Sequence, residues 1–348
     1  MAERKKRVTS LDVARAAGVS ANTVSLVVRN SDLVAPDTKE RVREIIARLG
    51  YRPHAAAAAL RSDRAHALGY LVPEVTQAVQ DVFRHQLLSA MVTSAHIASH
   101  QLLIDTFVDA PGSASLLSAG RIDGALVDWV VSDEVLEQLI KQNAPVVLVG
   151  RETSLPVSWV KADERGGALQ ATRQLLELGH QRFALITGGN AHTNAIVRER
   201  VEGFEQALGE VNIPLDGTRT VNGDWTYASG LALGMHLLEQ RPRSTAIFAL
   251  NELMAVGVLQ AARVQGLTVP HDFSVVTVED SPWVEYVRPQ LTAVHVPMYE
   301  VGRRATEMVL ALLDTADSGP RTEVLPTTFV VRESSGRARE NASERVDQ

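Results

Sequence analysis

From Ala67 onward, short apolar runs alternate with stretches of helical periodicity, and this alternation restricts the chain to few architectures. The runs are Leu68–Val72, Gln101–Asp105, Gly124–Asp128, Val146–Val149, Trp159–Ala162, Arg182–Thr187, Ala246–Ala249 and Ser274–Val278. Between them lie helical patterns such as Ala168–Leu178, Arg198–Val211, Ser229–Gln240 and Leu253–Gln265. Strands that alternate with helices imply parallel sheets covered by helices on both faces. In such sheets the ligand crevice lies outside the carboxyl ends of the strands.

The first 64 residues have a different character. They hold 13 Lys/Arg against 7 Asp/Glu, while the other 284 residues hold 22 against 34. The net charge of −6 therefore conceals a basic module on an acidic body. A compact basic module of this kind points to nucleic acid. Thr9 and Asp12 have the spacing of a capping box and open a helix that runs to Ala17. Its inward face is expected to be Leu11, Val13, Ala14 and Ala17, and Gly18 ends it. Ser20 caps a second helix, with Val24, Val27 and Val28 facing inward and Ala21, Asn22, Ser25, Leu26 and Arg29 outward. A third helix starts at Pro36, buries Val42, Ile45, Ile46 and Leu49, and closes at Gly50. Three short helices with a central turn make either a generic bundle or a helix-turn-helix, whose second helix enters the major groove.

Several function classes lose support. With no cysteine there is no disulfide, thiolate metal site or cysteine nucleophile. No GxSxG, HExxH, P-loop or GxGxxG stands out, and no cofactor is expected. His96 and His100 are four residues apart, a spacing that suits either a metal or an ordinary surface pair. The charged start (Arg4, Lys5, Lys6, Arg7) has no apolar run after it, unlike a secretory signal. No segment approaches the ~18–20 apolar residues of a membrane span. A cytoplasmic protein that is not an enzyme and has no membrane partner is expected.

Residues Thr9 to Asn30, then ERVREIIARLGYRPHAAAAALRS from Glu40 to Ser62, resemble the N-terminus of the lactose-repressor (LacI/GalR) family. The LGY-x-P signature lies at Leu49, Gly50, Tyr51 and Pro53, and LLELGHQRFALITG from Leu175 matches a second recurrent element. The resemblance extends to about residue 333. It implies an all-α helix-turn-helix DNA-binding head plus an α/β periplasmic-binding-protein-like core of two subdomains. The head would span 1–53 and the hinge 54–65. The core would span 66–333, divided into an N-subdomain (66–163 and 294–325) and a C-subdomain (164–293 and 326–333). The chain would cross between them near Asp163, Ala293 and Pro326. The tail, 334–348, has no apolar heptad and is expected to be disordered.

The resemblance also assigns roles. Ala21 and Asn22 would meet base edges, and an asparagine amide suits adenine. Thr9, Ser20, Thr23, Ser25 and Asn30 would position the module on phosphates. Leu26 stands where the family usually carries a polar or basic base-reading residue; it suits a thymine methyl or packing against the third helix equally. In the hinge, which includes Ala57, two helices would meet in the minor groove, Leu60 would wedge between base steps, and Arg61 and Arg64 would neutralise nearby phosphates. Five alanines favour a helix there, yet so short a helix is marginal without DNA.

In the body the resemblance implies a ligand site of Asp128, Arg200, Trp225, Asn251 and Glu279, with Phe83, Trp129, Arg151, Asp163 and Trp283 as weaker candidates. Arginine suits hydroxyl pairs or a carboxylate, and a tryptophan face suits a pyranose. Arg200 also fits a structural ion pair, and Trp225 a core or lid aromatic. Glu252 and Glu279 stand where the family more often has aspartate, and Val278 where it often has an aromatic. The implied protein is a homodimeric repressor on a pseudo-palindromic double-stranded operator, controlled by a small-molecule effector, most often a sugar acting as inducer. Co-repression, as in purine-type relatives, is the alternative sign. A solute-binding protein and an enzyme on the same scaffold are the alternatives in kind.

Overall fold

The computed structural model describes residues 8–28, 30–51, 64–76, 81–106, 120–142, 144–189, 194–214, 219–315 and 319–339, with Val82 by its backbone alone. The chain divides into two units, Met1–His66 and Ala67–Gln348.

Among its described residues the first unit has three helices: α1 (Ser10–Ala17), α2 (Ala21–Val28) and α3 (Pro36–Leu49). The Thr9 hydroxyl accepts from Asp12 N, and the Asp12 carboxylate accepts from Thr9 N at 2.9 Å, which closes a reciprocal capping box at the start of α1. Gly18 takes the left-handed conformation (φ 65°) that turns the chain toward α2. Ser20 Oγ then accepts from Thr23 N at 3.0 Å. Val13, Ala14, Ala17, Val24, Val27, Val34, Val42 and Ile45 form the core. Of the expected inward residues, Ile46 and Leu49 pack against it half-buried, and two lie outside it: Leu11 is 64% exposed and Val28 42%. With helices of only eight residues, each can turn a single narrow stripe inward, and Val13/Ala14/Ala17 and Val24/Val27 already fill it.

Among its described residues the second unit holds two six-stranded sheets. Its elements in order are β1 (Ala67–Val72), α4 (Val82–Ile97), β2 (Gln101–Thr106), β3 (Gly124–Asp128), α5 (Asp133–Ile140), β4 (Val146–Val149), β5 (Ser158–Ala162), α6 (Glu164–Glu177), β6 (Phe183–Gly188), α7 (Ala195–Glu210), β7 (Thr220–Gly223) and α8 (Tyr227–Glu239). They continue with β8 (Ala246–Ala249), α9 (Glu252–Val264), β9 (Ser274–Val278), α10 (Trp283–Tyr286), β10 (Thr292–His295), α11 (Met298–Asp314), β11 (Thr322–Leu325) and β12 (Thr328–Val330). The first sheet runs β11-β5-β4-β3-β1-β2 and the second β12-β10-β9-β8-β6-β7. All pairings are parallel except β10 with β12. Strands β1, β3, β4, β6, β8 and β9 are buried at every residue, as parallel strands covered on both faces must be. Helix α4 packs on α11, α6 on α7, and α8 on α9. At Gly257 a Cβ would strike the backbone of α8, so the α8–α9 contact depends on its absence.

The chain passes from the first sheet to the second at Asp163, returns after β10 at Val296–Pro297, and passes again at Pro326–Thr327. The second passage lies beyond Ala293, which sits in mid-β10 paired with Val330. The first and third passages are tied together, since Asp163 N donates to Leu325 O (2.8 Å) and Thr327 Oγ1 to Asp163 O (3.1 Å). The start of the expected disordered tail is instead ordered. Ser334 is fully buried, its hydroxyl donates to Val275 O at 2.6 Å, and Gly336 N donates to Ser274 Oγ at 3.0 Å. The tail reaches α6, where Ala338 N donates to Leu178 O. Backbone hydrogen bonds need no apolar heptad, so their sequence signal is weak. Residues 340–348 lie outside the described residues.

Candidate ligand cleft and nucleic-acid interface

The carboxyl ends of β3, β6, β8 and β9 open on a cleft of about 400 Å³, at the lower end of the roughly 300–1,000 Å³ typical of ligand sites. Its walls include Phe83, Arg84, Trp129, Arg200, Trp225 and Glu279. Four of the five expected site residues line it: Arg200, Trp225, Asn251 and Glu279.

Arg200 is the centre of the site. Helix α7 carries it inward until the side chain is only 1% exposed. Its Nε donates to Glu164 at 2.8 Å, and its Nη1 donates to Leu250 O at 2.7 Å and to Glu279 at 3.3 Å. It is therefore the structural ion pair that its residue type also suggested, but not only that. Nη2 is buried and has no hydrogen-bond partner among the described residues. Burial is the largest influence on the guanidinium and acts to discharge it, but the flanking carboxylates outweigh this and hold it protonated. Glu279 is pushed well above the usual carboxylate range, chiefly by burial. Glu252, whose carboxylate accepts from Ser281 N (3.0 Å) and Oγ (2.6 Å), is also raised by burial.

Trp225 stands at φ 69°, a conformation uncommon for a bulky residue, with its ring laid on the backbone of Gly188. The pair Gly188–Gly189 thus serves as a seat for an aromatic ring. Asn251 supports this arrangement from below: its Oδ1 caps α9 through Met254 N (2.8 Å) and its Nδ2 donates to Trp225 O (3.3 Å). Its amide is largely committed to the protein.

Asp128 departs from the expectation. It ends β3, fully buried, but lies behind the cleft wall. It accepts from Tyr70 Oη (2.6 Å), Val130 N (3.1 Å) and Arg84 Nε (3.1 Å). Its role is to hold Arg84, which also pairs with Asp81 and lies 4.1 Å over the Trp129 ring. Arg84 was missed because its α4 position carries no local motif. Of the weaker candidates, Phe83 and Trp129 line the cleft. Arg151 instead binds Trp129 O, Val131 O and Asp133, and Asp163 caps α6. Trp283 is 57% exposed and packs edge-to-face on Tyr286. Asn194 and Asp224 also line the cleft and were not expected; Asn194 is the N-cap of α7, a signal the sequence does carry.

In the head, Asn22 is exposed, while Ala21, Thr23, Ser25 and Leu26 are half-buried on the same helix. Leu26 and Ala21 both pack against the head's core. Thr9 and Ser20 serve as helix caps, and Asn30, in the left-handed region (φ 56°), accepts from Arg43 at 2.5 Å, which ties the end of α2 to α3. The hinge residues Ala57, Leu60 and Arg61 lie outside the described residues. No single described helix is long and apolar enough to cross a membrane. No group of three or more His, Cys, Asp or Glu that could hold a metal occurs among the described residues.

A helix-turn-helix head and a two-sheet body with a polar-aromatic cleft define a DNA-binding regulator with a ligand-binding domain. Residues 9–54 match the model for bacterial regulatory proteins of the lacI family, and residues 172–335 that for a periplasmic binding protein-like domain. The HTH-type transcriptional regulator CelR of Thermobifida fusca is 33% identical over 95% of this chain and 99% of its own. Catabolite control protein A of Priestia megaterium is 31% identical over 94% and 99%. The solved complex of the regulator CelR with cellobiose matches with a TM-score of 0.71 and 31% identity, covering 94% of this chain and 100% of that one. The lac repressor dimer bound to operator and the anti-inducer ONPF matches in fold, with a TM-score of 0.85 at 24% identity, covering 95% and 100%. The chain belongs to the lacI family of bacterial regulatory proteins, and it is a transcriptional regulator.

Proposed function

We propose that this regulator is a cytoplasmic repressor, without catalytic activity, whose hold on a pseudo-palindromic operator is released when a saccharide fills the cleft. The observation that carries the reading is Arg200 Nη2, a buried guanidinium nitrogen without a partner among the described residues, in the wall of a cleft with aromatic faces. A guanidinium donor left open in this way needs an acceptor, and a hydroxyl oxygen supplies one. Trp225 and Phe83 offer flat apolar surface for the other face of a sugar ring. The cellobiose complex of CelR supports a saccharide ligand.

Two copies of the chain place two heads on the two half-sites of an operator. Asn22 reads a base edge, and Thr9, Ser20, Thr23, Ser25 and Asn30 set the module on the phosphates. Ala57, Leu60 and Arg61 act in the hinge. A ligand touching both subdomains shifts one against the other across the three passages. Operator and ligand are then coupled through the body.

The test is a gel shift on a selected operator at several salt concentrations, with and without neutral sugars such as cellobiose and glucose. Salt-dependent, sequence-specific binding that a sugar weakens is the expected result. Operator binding that tightens with sugar contradicts induction, and binding without sequence preference contradicts the whole reading.

A further inference from the structure

The charges of the cleft do not balance, and the imbalance discriminates between saccharides. Among the described residues, six ionisable side chains line it: Asp81, Asp224, Glu252, Glu279, Arg84 and Arg200. Both arginines are already matched by acids of the chain itself. Arg84 pairs with Asp81 and with buried Asp128 at 3.1 Å, and Arg200 with buried Glu164 at 2.8 Å and Glu279 at 3.3 Å. Counting Asp128 and Glu164, six carboxylic groups stand against two guanidiniums. Burial favours the neutral form of Glu252 and Glu279, but the four remaining carboxylates still outnumber the two arginines. The sign does not depend on the protonation of those two groups. Asp280, next in sequence, is turned to Arg332 (2.7 Å) and His295 (3.6 Å).

Two other sources of positive potential do not reverse the balance. The starts of α7 and α9 border the cleft, but Asn194 Oδ1 accepts from Ile196 N and Val197 N, and Asn251 Oδ1 from Met254 N. Glu252 sits in the first turn of α9, where it offsets the positive end of the helix. Within the body, the segments outside the described residues up to residue 318 (77–80, 107–119, 143, 190–193, 215–218 and 316–318) contain no lysine or arginine.

Arg200 Nη2 therefore offers a ligand a hydrogen-bond donor without a surplus positive charge. A hydroxyl oxygen takes that bond at no electrostatic cost. A phosphate or carboxylate takes it while facing more negative charge than positive at short range in a partly desolvated site. Resting on the saccharide reading above, we propose that the cleft accepts an uncharged saccharide and rejects its phosphorylated or carboxylated counterpart, because the acids around Arg84 and Arg200 outnumber them.

The test uses the full-length protein and probes paired by charge: glucose with glucose 6-phosphate and 6-O-methylglucose, galactose with galacturonate, and cellobiose with cellobionate. Calorimetry at low and high salt measures each. For every neutral probe that binds, the anionic partner is expected to bind at least about tenfold more weakly, with a gap that narrows in high salt. The neutral 6-O-methyl control is expected to follow glucose. Asp224→Asn, which removes one of the cleft's carboxylate charges at an exposed position, is expected to narrow the gap between the paired probes, read as a ratio within the variant. An anionic probe that binds as tightly as its neutral partner overturns the charge inference and leaves the saccharide reading standing. A gap indifferent to both salt and Asp224→Asn is steric and also overturns it. If no probe of either charge binds, the saccharide reading fails and the inference with it.

Discussion

Replacing Gly188 with alanine changes one methyl group, yet it should unseat the aromatic wall of the cleft. An alanine Cβ at 188 would stand 2.5 Å from both Cε2 and Cε3 of Trp225. Carbon atoms pack at about 3.5–4.0 Å, so the ring must retreat by at least about 1 Å. The backbone of Trp225 cannot follow easily, because its carbonyl is held by Asn251 Nδ2 and its φ is already 69°. Position 188 itself has no positive φ, so alanine is compatible with the strand. Overpacking of this kind costs about 1–3 kcal/mol, which a body with two full sheets should survive. The ligand loses more. Removing roughly 60–100 Å² of ring contact at ~25 cal/mol per Å² weakens binding by about 1.5–2.5 kcal/mol, or roughly 10- to 70-fold. Calorimetry with the best-binding sugar measures this, and operator anisotropy without sugar serves as the control. Wild-type sugar affinity in Gly188→Ala would refute the placement of Trp225 against the ligand. A large loss of operator affinity without sugar would show that the change acts through the fold instead.

The remaining predictions concern the arginine cluster and the head. Arg200→Met leaves Glu164 and Glu279 buried without their partner, and the body should lose about 3–5 kcal/mol, read as a fall in Tm together with loss of sugar binding; an unchanged Tm contradicts the cluster. Glu279 has a raised pKa, so between the ordinary carboxylate range and that raised value the folded state keeps a proton that the unfolded chain has released. Its contribution to stability is present below the ordinary value and is lost as pH rises through the raised one; Glu279→Gln should flatten that limb of the stability curve, and a limb of unchanged slope contradicts the assignment. Asn22→Ala should weaken a selected operator by about 1–3 kcal/mol and relax one base position while leaving the salt slope unchanged; an altered slope would make Asn22 a phosphate contact.

What the sequence reveals and what it conceals divide along physical lines. The strands buried on both faces were legible because their apolar runs are continuous: the expected Gly124–Asp128, Val146–Val149, Ala246–Ala249 and Ser274–Val278 agree with β3, β4, β8 and β9. The edge strand β7 was missed because burial does not impose a run there; Thr220–Gly223 is only partly covered. In the head the capping box and left-handed glycines are local signals and read directly. The count of inward residues on an eight-residue helix is set by its neighbours, so Leu11 and Val28 were misplaced. The cleft shows the same contrast. Arg200, Trp225 and Glu279 follow from motifs, but the use of Asp128 depends on Tyr70 and Arg84, which are 58 and 44 residues away. Glu164 lies 36 residues from the arginine it clamps, and no local pattern links them. The seat of Trp225 on Gly188 likewise joins the end of β6 to the residues after β7 through space, and no local pattern marks it.

The central claim is that occupancy of the cleft sets the grip of the head, and reciprocal linkage tests it most directly. Operator affinity is measured with and without saturating sugar, and sugar affinity with and without saturating operator, all at one salt concentration. Coupling between two sites requires both affinities to change by the same factor, typically about 5- to 150-fold, and the account predicts that both weaken. Two affinities that do not respond to each other, or that strengthen together, would contradict it.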